Sequence, residues 1–157
     1  MEIKRIDWTK DLDTGIPDID RQHRQIVNYI NSLVDNRQSG ERQVIEEVLS
    51  ELIEYTVSHF GFEESLMEQA QYSYLTPHIR IHRLFEKRVR EYAERFVRGE
   101  EVTDELIEML NRWLITHIRA EDMDYTPLVS KSLGNNADKE RLLEKTFGRF
   151  FGKGRKR

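Results

Sequence analysis

The chain has no cysteine, which excludes disulfides, thiolate metal sites and thiol nucleophiles. Any metal it binds must be held by nitrogen and oxygen. Proline occurs three times and glycine eight times in 157 residues, so little interrupts long helices. No apolar run approaches the roughly 20 residues that span a bilayer, and residues 1–8 lack the apolar core of a signal peptide. A cytoplasmic location is therefore the expectation. Low-complexity segments and internal repeats are also missing.

What remains is 38% hydrophobic and 34% charged, the balance of a largely helical protein with a real core. The net charge of −4 is unevenly spread. Residues 138–157 hold eight Lys/Arg against three Asp/Glu, leaving 17 basic and 26 acidic residues elsewhere. A body that acidic repels nucleic acid, so that class of partner is not expected.

Four stretches carry helical periodicity. The first covers about residues 18–38, with Pro17 just before it and Ser39-Gly40 closing it. Its stripe of Ile19, Ile26, Val27, Ile30, Leu33 and Val34 includes His23. The second covers about residues 41–70, where His59 and Glu63 continue a stripe running from Val44 to Phe60. The third is expected to start at Thr76-Pro77, a cap followed by proline, and shows His78, His82, Phe85, Val89 and Phe96 on one face. The fourth starts after Thr103 and leads through Leu106, Leu110 and Leu114 to His117.

Short connections favour antiparallel neighbours in an all-α, up-down-up-down four-helix bundle. The expected division is a bundle over residues 1–132, including an N-terminal arm, and a basic C-terminal extra helix over 133–157. In an alternating bundle, His23, the His59/Glu63 pair, the His78/His82 pair and His117 all fall at the same end. Residues four apart share a helix face, so His78 with His82, and His59 with Glu63, point together. Asp122 is five residues beyond His117 and overshoots that face by a third of a turn. It reaches the others only if the helix loosens or ends there, and Tyr125-Thr126-Pro127 suggests an ending.

A lone histidine on an apolar face is more often a hydrogen-bonded core residue than a ligand. Glu63 is harder to dismiss, because an ionised carboxylate buried without a partner costs several kcal/mol and calls for a cation. The chain's five histidines, all at one bundle end, would then be metal donors. Imidazole and carboxylate suit iron, zinc or copper better than magnesium or calcium. Seven side chains are too many for one tetrahedral zinc and fit two ions sharing bridging carboxylates. A ferritin-type centre needs Glu-x-x-His pairs, and none occurs. A nitrogen-rich centre is better suited to binding than to oxidation.

These motifs resemble those of the hemerythrin family, in particular its bacterial members, over roughly residues 6–130. Gly15-Ile16-Pro17-Asp18-Ile19-Asp20-Arg21-Gln22-His23 is similar to "TGI…ID.QH". His59-Phe60-Gly61-Phe62-Glu63-Glu64 with Leu66-Met67 is similar to "HF..EE.LM", and His78/His82 to "H…H". Trp113-Leu114-Ile115-Thr116-His117-Ile118 with Asp122 and Tyr125 is similar to "WL..HI…D..Y". The resemblance implies a non-haem di-iron centre. His78, His82 and His117 would hold one iron and His23 and His59 the other. Glu63, Asp122 and an oxo or hydroxo group would bridge the two.

The two-histidine iron would keep the vacancy for dioxygen, walled by Phe60, Trp113 and Ile118. With no surplus inward acid or histidine to donate protons, reversible dioxygen binding is expected rather than catalysis. The rivals are a di-iron enzyme, acting as an oxidase or handling peroxide or nitric oxide, and a redox-silent zinc protein. Two features depart from the resemblance. Gln71 and Ser73 stand where the family often has glycine and proline, and the chain continues through 135–157. There Leu142, Leu143, Phe147, Phe150 and Phe151 recur beside Arg141, Lys145, Arg149 and the basic residues 153–157. Such a basic amphipathic helix can lie on a membrane, bind a partner or dock on the acidic bundle.

Overall fold

The computed structural model describes residues 2–134 and 136–152, and among them every regular element is helical. A 3-10 turn, Lys10–Leu12, precedes α1 (Pro17–Asn36), α2 (Arg42–Gln69), α3 (Leu75–Val97) and α4 (Thr103–Thr116). A π-helical turn, His117–Asp122, joins α4 to α5 (Met123–Leu133), making one continuous rod. Then come α6 (Asn136–Phe147) and a second π turn, Gly148–Gly152. The rods α1, α2, α3 and α4–α5 are the four members of the up-down-up-down bundle, with α1 packed on α2 and α4, and α3 packed on α2 and α4.

The start of α1 is built by its own acid. Asp20 is buried and accepts the Thr14 N–H (2.7 Å), the Thr14 hydroxyl (2.7 Å) and the Gly15 N–H (3.1 Å). Gly15 has φ +90°, which turns the chain so that these donors face one carboxylate. Pro17 fills the first helical position, where no N–H is needed. The Thr14–Asp20 knot thus fixes where α1 begins, and with it the height of His23.

At the end of α2, the Gln71 N–H donates to the Glu68 carbonyl and the Tyr72 N–H to the Met67 carbonyl, both at 3.0 Å. This is a Schellman motif, which normally puts glycine where Gln71 stands at φ +58°. A left-handed non-glycine residue costs about 1–2 kcal/mol. Gln71→Gly should therefore stabilise the protein by about 0.5–1 kcal/mol, after allowing for the entropy glycine adds to the unfolded chain. Thermal melts read this directly, and an unchanged or lower midpoint would show that the side chain offsets its own strain.

Two expectations are corrected. The third helix begins at Leu75 rather than at a Thr76 cap, so Pro77 is its third residue and Tyr74 precedes it. Pro77 is tolerated because the first four N–H groups of a helix have no intrahelical acceptor. The fourth rod does not end near Pro127 but loosens at 117–122 and continues to Leu133, with Pro127 inside α5. The widened turn has already interrupted the α ladder there, and the Thr126 hydroxyl donates to the Asp122 carbonyl at 2.7 Å.

The core has two parts with the histidine end between them. One contains Ile26, Ile30, Leu49, Leu52, Phe85 and Leu110. The other joins Ile16, Ile19, Phe62, Leu66, Tyr125 and Val129 to Leu143 and Phe151 of the C-terminal extension. Leu142, Phe147 and Phe150 also pack against this second part, so the extension spends its apolar face on the bundle. Phe150 lies on the backbone of Gly61, where an added Cβ would come within 2.6 Å of the ring. The basic cluster 153–157 lies outside the described residues. None of the described helices is long and apolar enough to cross a membrane.

Candidate metal centre

All seven side chains singled out as ligands converge at one end of the bundle, and all are buried. α1 supplies His23, α2 supplies His59 and Glu63, and α3 supplies His78 and His82. The π turn supplies His117 and Asp122. An i→i+5 turn takes about one residue more than an α turn, so residues five apart come to lie on one face. This local widening is how Asp122 reaches the others.

The donor atoms form two overlapping groups, each within 4.8 Å: Glu63, His78, His82, His117 and Asp122, and His23, His59 and Glu63. Asp122 Oδ1 lies 3.3 Å from His78 Nε2 and 3.1 Å from His117 Nε2, while its Oδ2 lies 3.1 Å from His23 Nε2. Glu63 Oε1 lies 3.3 Å from His82 Nε2 and 3.5 Å from His59 Nε2, and its Oε2 lies 3.6 Å from His23 Nε2. Each carboxylate therefore touches imidazoles of both groups.

The fit to cations is visible in what lacks a partner. His23 Nε2, His78 Nε2, Glu63 Oε1 and both Asp122 oxygens are buried without a hydrogen bond. Orphaned polar atoms are rare in folded proteins and cost about 1–3 kcal/mol each. Here five of them face one another. Nitrogen and carboxylate oxygen donors in this number fit two transition-metal ions.

Outer partners aim the rings. The His59 Nδ1–H donates to Gln22 Oε1 at 2.7 Å, and His82 Nδ1 pairs with Glu64 Oε2 at 2.7 Å. His117 Nδ1 pairs with Glu121 Oε1 at 2.8 Å. Holding Nδ1 in this way leaves Nε2 free to face the centre. Arg83 donates to the other oxygen of Glu64 at 2.6 Å. The Tyr125 hydroxyl donates to Glu63 Oε2, and burial, with Glu63 and Asp122 nearby, raises its pKa so that it stays a neutral donor.

Without cations the carboxylates fall back on protons. Burial opposes charge on His23, but Asp122 and Glu63 outweigh it and push the ring up to about 9. Burial likewise opposes charge on His117, which Asp122 and Glu121 push up to about 10. Burial drives His59, backed by a neutral carboxamide, down to about 3. Burial raises Glu63 and Asp122, but the surrounding imidazoles hold both below the usual carboxylate range.

Phe60 stacks on His82 with centroids 3.7 Å apart, and Trp113 stacks on His117 at 4.3 Å and on Phe85 at 3.8 Å. Ile118 is fully buried. Phe60 and Trp113 thus press on the His78/His82/His117 side, although the Phe60 ring is also 5.9 Å from that of His59. Sequence reasoning missed Gln22, Glu64, Glu121 and the role of Tyr125. The spacing of four between His117 and Glu121 was a usable signal, whereas the reach of Gln22 to another helix was not.

Fold and site together define a four-helix-bundle protein built to hold cations. Residues 14–129 match the family described as Hemerythrin, "Hemerythrin HHE cation binding domain". The chain is 48% identical over 148 residues to a bacteriohemerythrin of Pseudomonas aeruginosa (strain LESB58), covering 92% of this chain and 97% of that protein. Identity to the bacteriohemerythrin of Stenotrophomonas maltophilia (strain R551-3) is 45% at the same coverage. Among solved structures, a wild-type hemerythrin matches with a TM-score of 0.77 at 29% identity, over 81% of this chain and 99% of that one. The chain belongs to the hemerythrin family.

Proposed function

We propose that the protein binds dioxygen reversibly at a pair of iron ions, as an oxygen store, carrier or sensor in the cytoplasm rather than an enzyme. In this reading His78, His82 and His117 hold one ion and His23 and His59 the other, with Glu63, Asp122 and an oxo or hydroxo group as bridges. The observation that carries it is the lopsided split of the donor atoms, five against three with Glu63 in both. The side with fewer donors would be the one to leave a coordination position open to a small ligand. Iron ions held there in the ferrous state would supply the two electrons that binding dioxygen calls for.

The chain's own residues favour release over turnover. Gln22, Glu64 and Glu121 fix the imidazoles of His59, His82 and His117, so these three rings rearrange little with a change of ligand. Tyr125 keeps Glu63 oriented. Phe60, Trp113 and Ile118 exclude water and with it stray protons. Among the described residues, the only other fully buried acid is Asp20, whose oxygens are occupied by Thr14 and Gly15. No further buried carboxylic acid among the described residues is left to deliver protons to the centre.

Stopped-flow mixing of the reduced protein with oxygen tests the distinction. A persistent oxygenated species without peroxide in solution is expected, whereas rapid decay to a ferric form with peroxide release would mark an enzyme. Metal loading carries a further expectation. Coordination through Nε2 must displace the protons that His23 and His117 hold at neutral pH. Adding zinc or ferrous ion to metal-free protein in weak buffer should therefore acidify the solution, and affinity should rise with pH across neutrality. Loading without proton release would mean that His23 and His117 carry no displaceable proton in the metal-free protein.

A further inference from the structure

The wall of Phe60 and Trp113 reaches neither His23 nor His78, and His78 has Tyr125 beside it at 5.6 Å between ring centroids. Phe60 and Trp113 stack on His82 and His117, yet His23, on the side with fewer donors, is equally buried. An aromatic ring near it comes from the N-terminal arm. Trp8 is half-buried, and its centroid is 6.4 Å from that of His23 at 34°. The arm precedes the family match, which begins at residue 14.

This arm is strapped down at several points, Arg5 with Asp35 of α1 among them. Buried Asn31 grips its backbone from α1, accepting the Ile6 N–H at 2.7 Å and donating to the Ile6 carbonyl at 3.0 Å. The Trp8 indole N–H donates to Asp13 Oδ1 at 2.8 Å. The same oxygen takes Arg24 at 3.3 Å, and the Arg24 guanidinium sits 5.4 Å from the Trp8 centroid. Asp11 accepts from Arg119 Nε (3.1 Å) and from its terminal nitrogen (2.6 Å), and Arg119 belongs to the π turn that carries Asp122. The strap thus rests on the two elements whose side chains meet at His23 Nε2 and Asp122 Oδ2. Asp11, Asp13, Arg24 and Arg119 are substantially exposed, so salt screens these fastenings, while the Asn31 clamp is indifferent to it.

We propose that Trp8 is the gating residue of the two-histidine side: its ring seals His23 from water and sets how fast an ion or small ligand enters or leaves there. This rests on the two-ion reading above. The consequence is selectivity, because loosening Trp8 exposes the ion held by His23 and His59 while leaving the His78/His82/His117 side under Phe60 and Trp113.

The test uses the full chain loaded with zinc, whose extraction by excess chelator is followed with a zinc dye. Wild type should carry two ions. Trp8→Ala should release one of them about tenfold faster, the size of effect expected beside a ligand, with the other ion within about twofold of wild type. Trp8→Phe should restore slow release, and Asp13→Ala, which frees the indole and Arg24 but leaves the ring in place, should fall between. Equal acceleration of both ions would mean general loosening and overturn the gate, as would unchanged release in Trp8→Ala. A wild-type chain holding fewer than two zinc ions would overturn the two-ion reading itself, and the gate with it.

Discussion

Replacing Glu63 by alanine should leave a chain that holds at most one metal ion and unfolds more easily than wild type. Its carboxylate is fully buried, accepts from Tyr125 and touches the imidazoles of His23, His59 and His82. Removing it deletes the one donor shared by both groups of donor atoms. It also leaves a buried hydroxyl unpaired and His23 short of one counter-charge. Breaking a buried charged pair costs about 3–5 kcal/mol. Glu63→Gln separates the two effects, since it keeps an oxygen for Tyr125 but not the negative charge. That variant should lose an ion while losing less stability. Metal analysis with thermal unfolding reads both quantities, and retention of two ions by Glu63→Ala would remove Glu63 as a bridge.

Deleting residues 138–157 should have the opposite pattern, a large loss of stability with both ions kept. Leu143 and Phe151 are buried against the second part of the core, and Phe151 is 5.1 Å from Tyr55 and 6.3 Å from Phe62 between ring centroids. Truncating a buried Leu or Phe costs about 2–5 kcal/mol. Part of that is recovered where the site can relax toward solvent, so the deletion is expected to cost about 3–5 kcal/mol in all. It should also bind apolar dyes through the uncovered faces of Phe62 and Leu66. None of the seven candidate ligands comes from the extension, so the metal count and the visible spectrum should not change. Loss of an ion would mean that Phe150, resting on Gly61 between His59 and Glu63, holds the ligand-bearing turn in place.

The convergence of the five histidines with Glu63 was legible because it rests on periodicity and direction alone. His59 with Glu63 and His78 with His82 repeat at the helical interval, and four alternating rods bring their ends together. The place of Asp122 was half-legible. Its offset from His117 demanded an irregularity, but a π turn and a helix end satisfy that demand equally well in sequence. Pro127 pointed to the wrong one, since proline is penalised in an intact α ladder and this ladder was already interrupted. Thr76-Pro77 misled for a related reason, because proline fits anywhere in a first turn and so marks a helix start only to within a few residues. Gln22 and Trp8 were invisible. Each acts across elements, on His59 of another helix and on His23 beneath a non-periodic arm, and nothing in their local spacing records that.

In the proposed reading, two iron ions sit between these helices and exchange dioxygen without consuming it. The most direct measurement is the visible spectrum of reduced protein, with its iron content determined, before air, after air and after evacuation. Two irons per chain are expected, with a colourless reduced form and an absorption band that appears with air and disappears under vacuum over repeated cycles. A band that stays after evacuation, or protein isolated with zinc and no band at all, would contradict that reading.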